Sequence, residues 1–158
     1  MNDRTCIEFR NVVAGYKDFM ILNELSFRIP AGAISLLIGP NGAGKSTVLK
    51  TLFGLLKPRA GRISFEGRDI TGASQKALLA EGIAFVPQGR NLFGQLSAFE
   101  NLELGGITIG MKATHERIPE VVDFSPRLKE RKHVPSEYLL GGEQQMAAVA
   151  RALSGNVK

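Results

Sequence analysis

Residues 39 to 46 read Gly39-Pro40-Asn41-Gly42-Ala43-Gly44-Lys45-Ser46, a glycine-rich run that closes on a lysine and a hydroxyl. These residue types at this spacing suit a nucleoside triphosphate. A glycine-rich turn leading from a strand into a helix can aim several backbone N–H groups, and the positive end of the helix, at phosphate oxygens. Lys45 would then reach the β- and γ-phosphates and Ser46 would ligate Mg²⁺. The plainer alternative is an ordinary strand-to-helix turn with a surface lysine; the apolar run Ile34-Ser35-Leu36-Leu37-Ile38 before the loop and the helix-like stretch Ser46 to Leu56 after it weigh against that.

The elements that must position this loop follow from periodicity. Apolar residues alternate through Cys6 to Val13 and Leu25 to Ile29, on either side of the turn-rich Ala14-Gly15-Tyr16-Lys17-Asp18, which predicts an antiparallel pair. After the first helix, Lys57-Pro58-Arg59-Ala60-Gly61 is a breaker, Arg62 to Phe65 a short strand and Glu66-Gly67-Arg68-Asp69 a turn. Ser74 to Glu81 reads as a helix with Gly82 at its end, and Ile83-Ala84-Phe85-Val86 as an apolar strand halted by Pro87. Strands alternating with helices around a phosphate loop predict an α/β sheet that binds its ligand at the strands' carboxyl ends. Beyond Gln88 the pattern turns helical. Ser97-Ala98-Phe99-Glu100 is a capping box that opens a helix through Leu104, Pro119, Pro126 and Pro135 divide the next stretch into short helices, and Gly141-Gly142 precede a run from Glu143 to Leu153.

Composition narrows the class. The chain has 158 residues, 44% of them hydrophobic, enough for one domain with a real core. Its single cysteine, Cys6, permits no internal bridge and reads as a packed thiol on a strand. Residues 1 to 5 carry no apolar leader, and no apolar run approaches the ~20 residues of a membrane span. The net charge of +5 admits nucleic acid as a partner, but basic residues are interleaved with acidic ones through Lys112 to Glu137, and the densest basic cluster, Arg127 to His133, holds no aromatic for base stacking. His115 and His133 stand outside any metal-ligand spacing and read as surface residues.

Several motifs together resemble the nucleotide-binding domains of ABC transporters. Gly39 to Ser46 with Thr47 is similar to that family's Walker A loop, and Tyr16 lies upstream where its adenine-stacking aromatic belongs. Val86-Pro87-Gln88-Gly89 resembles the Q-loop, which makes Gln88 a second Mg²⁺ contact that senses the γ-phosphate. Leu139-Leu140-Gly141-Gly142-Glu143-Gln144-Gln145 resembles the signature motif, so that Leu140, Gly141, Gly142, Glu143 and Gln144 would face the ATP bound to an opposite subunit. Gly89-Arg90-Asn91-Leu92-Phe93, Glu100-Asn101-Leu102 and Phe124 to Arg131 are similar to the second type of ATP-binding subunit of branched-chain amino acid importers. The resemblance implies a P-loop NTPase fold of the ABC type, with an N-terminal antiparallel β-layer and a partial RecA-like sheet over residues 1–95 and a helical subdomain over 96–153. It further implies ATP and Mg²⁺ as ligands and a homo- or heterodimer of nucleotide-binding subunits. Transmembrane permease subunits would hold the dimer at the cytoplasmic face of the membrane, with a periplasmic or extracellular substrate-binding protein as an indirect partner. No nucleic acid partner is expected.

Two departures from the family pattern qualify these expectations. Leu140 stands where the family carries a hydroxyl, and leucine cannot donate to a phosphate oxygen; bonds of that charge-assisted type are worth roughly 1.5–3 kcal/mol. The sequence also stops at Lys158, before any apolar run ending in Asp-Glu, so the family's Walker B segment, its general-base glutamate and its switch histidine have no counterpart and no catalytic residue is assigned. The chain therefore reads as a truncated transport ATPase subunit, with a non-hydrolysing ATP-binding module as the alternative.

Overall fold

The computed structural model describes residues 4–89 and 91–158, and its chain divides into two compact units, Met1–Leu78 and Leu79–Lys158. Residues 1–3 of the N-terminal reading, and Arg90 of the motif after Gln88, lie outside the described residues.

The first unit is organised by a long hairpin. β1 (Thr5–Tyr16) pairs antiparallel with β2 (Phe19–Pro30), and the alternation expected from the sequence puts Phe9, Val12, Ala14 and Leu22 in the core. Phe9 stacks on Phe27 across the pair, ring centroids 4.6 Å apart. Register shifts fall at Asn11 and Glu24, which both take positive φ, and the Ser26 hydroxyl repairs the ladder there by accepting the Asn11 N–H at 2.8 Å. β3 (Ala60–Phe65) joins the other edge of β1 and continues through the tight Glu66-Gly67 turn, both residues at positive φ, into β4 (Arg68–Asp69). The sheet order is β2-β1-β3-β4. Arg68 and Asp69, expected in a turn, thus form a short strand. Helix α1 (Lys45–Leu52) follows the glycine-rich loop and ends four residues before the expected Leu56, while α2 (Gln75–Glu81) buries Leu78 and stops at Gly82, whose φ of +99° only glycine adopts without strain.

The strands expected at 34–38 and 83–86 do not form ladders among the described residues. A strand is held by neighbours on its edges, and the described part of the sheet offers these runs none. Ile34, Leu36 and Ile38 are accordingly exposed, at 100%, 85% and 86%. Among the described residues the expected antiparallel β-layer is present as paired strands, and the expected partial RecA-like sheet is not.

The second unit is helical. α3 (Ala98–Gly105), α4 (Met111–Asp123), α5 (Pro126–Glu130) and α6 (Gly141–Leu153) enclose Leu102, Ile118, Val122, Leu128, Leu139 and Ala147, with a single 3₁₀ turn at Ser136–Tyr138 before α6. The capping box at the start of α3 is complete: the Ser97 hydroxyl accepts the Glu100 N–H and the Glu100 carboxylate accepts the Ser97 N–H at 2.7 Å. The Ser97 hydroxyl, which also donates to the Glu100 carboxylate at 2.7 Å, and then the Ser97 N–H hold that carboxyl below the ordinary glutamate range. Pro119 does not divide the chain as expected; α4 runs through it. The missing N–H and ring clash cost a helix interior ~3 kcal/mol, and burial of Ile118, Val121 and Val122 on one face offsets that.

α3 and α6 touch through backbone. A Cβ on Gly105 would stand 2.0 Å from the Arg151 carbonyl oxygen, whereas one on Gly141 would meet nothing within 4 Å. Gly105→Ala is therefore expected to lower unfolding free energy by about 2–3 kcal/mol, as overpacking does, with Gly141→Ala within about 0.5 kcal/mol of the parent in the same urea titration.

Candidate functional site

The phosphate-loop candidate is built entirely within the first unit. Gly42 and Gly44 both take φ +86°, which turns the chain back on itself and into α1. Gly44 is the N-cap residue and supplies no side-chain cap, so the first amides of α1 have no acceptor of their own. At Gly42 a Cβ would meet nothing within 4 Å, which leaves the loop backbone open to a ligand; at Gly44 it would stand 2.9 Å from Ile21 Cγ2, which fixes the loop against β2. The Lys45 ammonium bridges the loop, donating to the carbonyl oxygens of Gly39 and Pro40 at 2.7 Å each, and the Ala43 N–H closes a turn onto Pro40 at 3.2 Å. Ser46 is exposed at the second position of α1, Asn41 and Ala43 are exposed on the loop, and Thr47 is buried beneath it. A hollow of about 350 Å³ next to the loop is lined chiefly by apolar side chains, among them Leu22, Phe27, Leu37 and Val48. Its lining suits apolar contact, so the open side of the loop at Gly42 is the better place for phosphate.

Tyr16 ends β1 and is 42% exposed. Lys50, from the last turn of α1, donates to its hydroxyl at 3.4 Å and lies 5.8 Å from the ring centroid, so helix and aromatic are held together. An exposed ring beside a phosphate-loop helix is available for stacking.

The remaining predicted residues belong to the second unit. Gln88 is exposed in a bend, and the loop around it is drawn in by the Asn91 amide, which donates to the carbonyls of Pro87 and Gly89. Leu140 is the N-cap of α6, 62% exposed, and Gly141 and Gly142 are the first two helical residues, exposed, with open space where a Cβ would be. Their N–H groups begin a 13-residue helix and have no intrahelical acceptor, which is the arrangement an anion requires. The Glu143 carboxylate is spent within its own unit: it accepts the Leu140 N–H at 2.9 Å and the Arg131 guanidinium at 3.0 Å, and Arg131 also donates to the Tyr138 carbonyl. Gln144 donates to the Ser136 carbonyl at 3.1 Å.

Sequence reasoning missed the residues that hold this helix in place. Asn101 is completely buried and makes hydrogen bonds to Phe93, Leu96, Ser97 and Ser136, and Arg131 anchors the start of α6. The signal for Asn101 was present: it shares the inward face of α3 with Ala98 and Leu102, and a polar side chain on a buried face needs partners. His115 and His133 are exposed, and both flank the Phe99 ring, with His115 also meeting Glu103.

Half of a capping box is missing at α6, because Glu143 reaches back to Leu140 but a leucine side chain offers no acceptor in return. Leu140→Ser should supply it and raise the unfolding free energy by about 1 kcal/mol, read from the urea midpoint at unchanged slope; no gain would show that the end of α6 is already satisfied.

Comparison with known proteins agrees with this geometry. The family model described as ABC transporter matches residues 22–158. The high-affinity branched-chain amino acid transport ATP-binding protein BraG of Pseudomonas aeruginosa is 38% identical over 152 residues, covering 96% of this chain and 65% of that protein. A probable branched-chain amino acid transport ATP-binding protein, LivF, of Archaeoglobus fulgidus is 37% identical over 140 residues, covering 89% of this chain and 59% of that one. The chain thus spans about three-fifths of the length of these curated relatives. A nucleotide-free ATP-binding cassette from an ABC transporter superposes with a TM-score of 0.84 at 27% identity, over 95% of this chain and 65% of that structure. With its glycine-rich loop and its helical unit inside the family match and relatives 37–38% identical over most of its length, the chain belongs to the ABC transporter family.

Proposed function

We propose that the chain is the ATP-binding portion of an ABC importer subunit for branched-chain amino acids. The observation that carries the reading is the loop from Gly39 to Ser46, where Lys45 is held across two carbonyls at the open N-terminus of α1. When ATP enters, the ammonium would exchange those carbonyls for β- and γ-phosphate oxygens, and the free amides of Gly42, Gly44 and the first turn of α1 would donate to them. Ser46, exposed and beside Lys45, would give its hydroxyl to the Mg²⁺ that the phosphates carry, with Gln88 as a second ligand; Mg²⁺ takes few protein ligands and keeps phosphate and water for the rest. Tyr16 would stack on the adenine. The relatives' names supply the substrate class and the transport role.

The signature segment assigns a second surface. Gly141 and Gly142 would present their amides to the γ-phosphate of ATP held by a partner nucleotide-binding subunit, with Leu140 in place of a hydroxyl and Gln144 fixing the turn. Glu143 would act from behind, by holding Leu140 and Arg131, rather than by touching nucleotide. The dimer would sit at the cytoplasmic face of the membrane on permease subunits, with a substrate-binding protein on the far side. Among the described residues no helix is long and apolar enough to cross a membrane. Residues of this chain bind and orient nucleotide; none is assigned as general base.

Titration with a fluorescent ATP analogue tests the reading. Lys45→Ala is expected to weaken binding by at least about tenfold, as loss of a charge-assisted contact does, with Lys57→Ala, beyond the end of α1, within about twofold of the parent. Tyr16→Ala should weaken ATP and ADP by the same smaller factor, because stacking touches the base alone. Equal losses from the two lysine variants, or selective loss of ATP in Tyr16→Ala, would overturn the assignment.

A further inference from the structure

Asn101 serves two stretches of chain at once from a fully buried position in α3. Its Oδ1 accepts the Phe93 N–H at 2.9 Å, and its Nδ2 faces the carbonyls of Phe93, Leu96 and Ser97 at 3.0–3.3 Å and the hydroxyl of Ser136 at 3.0 Å. Ser136 is itself 1% exposed. Its N–H donates back to Leu96 at 2.8 Å, and the neighbouring Glu137 N–H donates to Gly94 at 3.0 Å. On the other side the Ser136 carbonyl accepts Gln144 Nε2 at 3.1 Å, in the first turn of α6.

We propose that Asn101, Ser136 and Gln144 form a positioning link that ties the segment 93–97, just after the Gln88 bend, to the first turn of α6, so that the two move together. Buried polar groups cost free energy when left unpaired, so segment 93–97 cannot shift away from Asn101 without stranding the Phe93 amide and several carbonyls. Ser136 cannot follow Asn101 without carrying its carbonyl, and with it the Gln144 side chain. Gln144 donates its own N–H to the Leu140 carbonyl at 2.8 Å, which closes the chain of contacts on the N-cap of α6. Phe93, itself exposed, also reaches the far end of α6 through the half-buried Arg151, 5.9 Å from its ring, but that contact grips the opposite turn. The functional weight of the link rests on the proposal that α6 presents its first turn to nucleotide: a displacement of the segment beside Gln88 would then change how Gly141 and Gly142 meet phosphate. The link itself needs no nucleotide.

Amide hydrogen exchange by NMR on the whole chain, without nucleotide, tests it independently of ATP binding. Ser136→Ala removes the hydroxyl joint and Gln144→Met removes the joint to α6 while keeping side-chain length. Each is expected to speed exchange at both ends, at the Phe93 amide and at the Gln145 amide, by about tenfold, with Val121 and Val122 in α4 changing less than twofold. Acceleration confined to the substituted end would overturn the proposal, since no coupling would pass along the chain of contacts. A uniform rise that includes Val121 and Val122 in Gln144→Met would overturn it too, by assigning the side chain to global stability alone. Gln144 is only half-buried, so its variant decides the matter if Ser136→Ala fails to fold.

Discussion

Gly44 has no Cβ, and the phosphate loop depends on that. A methyl group there would stand 2.9 Å from Ile21 Cγ2 and 3.3 Å from Leu22 Cδ2, while the residue holds a φ of +86° that side-chain-bearing residues take only with strain. The loop can therefore lie directly on β2 and still turn sharply enough to send α1 away with its amides uncapped. Lys45 follows immediately and bridges the loop by donating to the carbonyls of Gly39 and Pro40. On the proposed reading the two carbonyl dipoles take the place of phosphate oxygens and keep the Lys45 charge satisfied.

The helical unit uses a different economy. The start of α6, Leu140 to Gly142, is exposed and carries no side-chain cap, so its placement is secured from behind by buried or half-buried polar groups. Arg131 clamps Glu143 and the Tyr138 carbonyl, Gln144 ties to Ser136, and Asn101 gathers the loop carbonyls into the same network. Among the described residues no buried side-chain nitrogen or oxygen is left without a hydrogen bond, which is what makes such a network rigid rather than costly. A leucine at the helix start is tolerated in that setting because Glu143 already takes its N–H.

What could be read in the sequence was whatever depends on local spacing. The hairpin of β1 and β2, the αL stop at Gly82, the capping box of Ser97 and Glu100 and the glycine-rich loop are each decided by a few neighbouring residues, and each is present. What depended on partners was not legible. The runs at 34–38 and 83–86 have strand composition, but pairing is a property of the neighbouring strand and not of the run. Pro119 breaks a helix only where packing does not insist on one, and Ile118, Val121 and Val122 insist. The place of Asn101 on the inward face of α3 could be read locally, but its partner Ser136 could not, because it lies 35 positions away.

The central claim is that the loop from Gly39 to Ser46 receives a triphosphate on its open face. Amide chemical shifts measured while Mg²⁺ and ATP are added to the whole chain test it most directly. The account predicts that the Gly42, Gly44 and Lys45 amides move together and saturate with one affinity, while Gly67, at positive φ in the turn between β3 and β4, stays where it was. Saturating ATP that leaves Gly42 and Gly44 unmoved, or that shifts Gly67 equally, would contradict it.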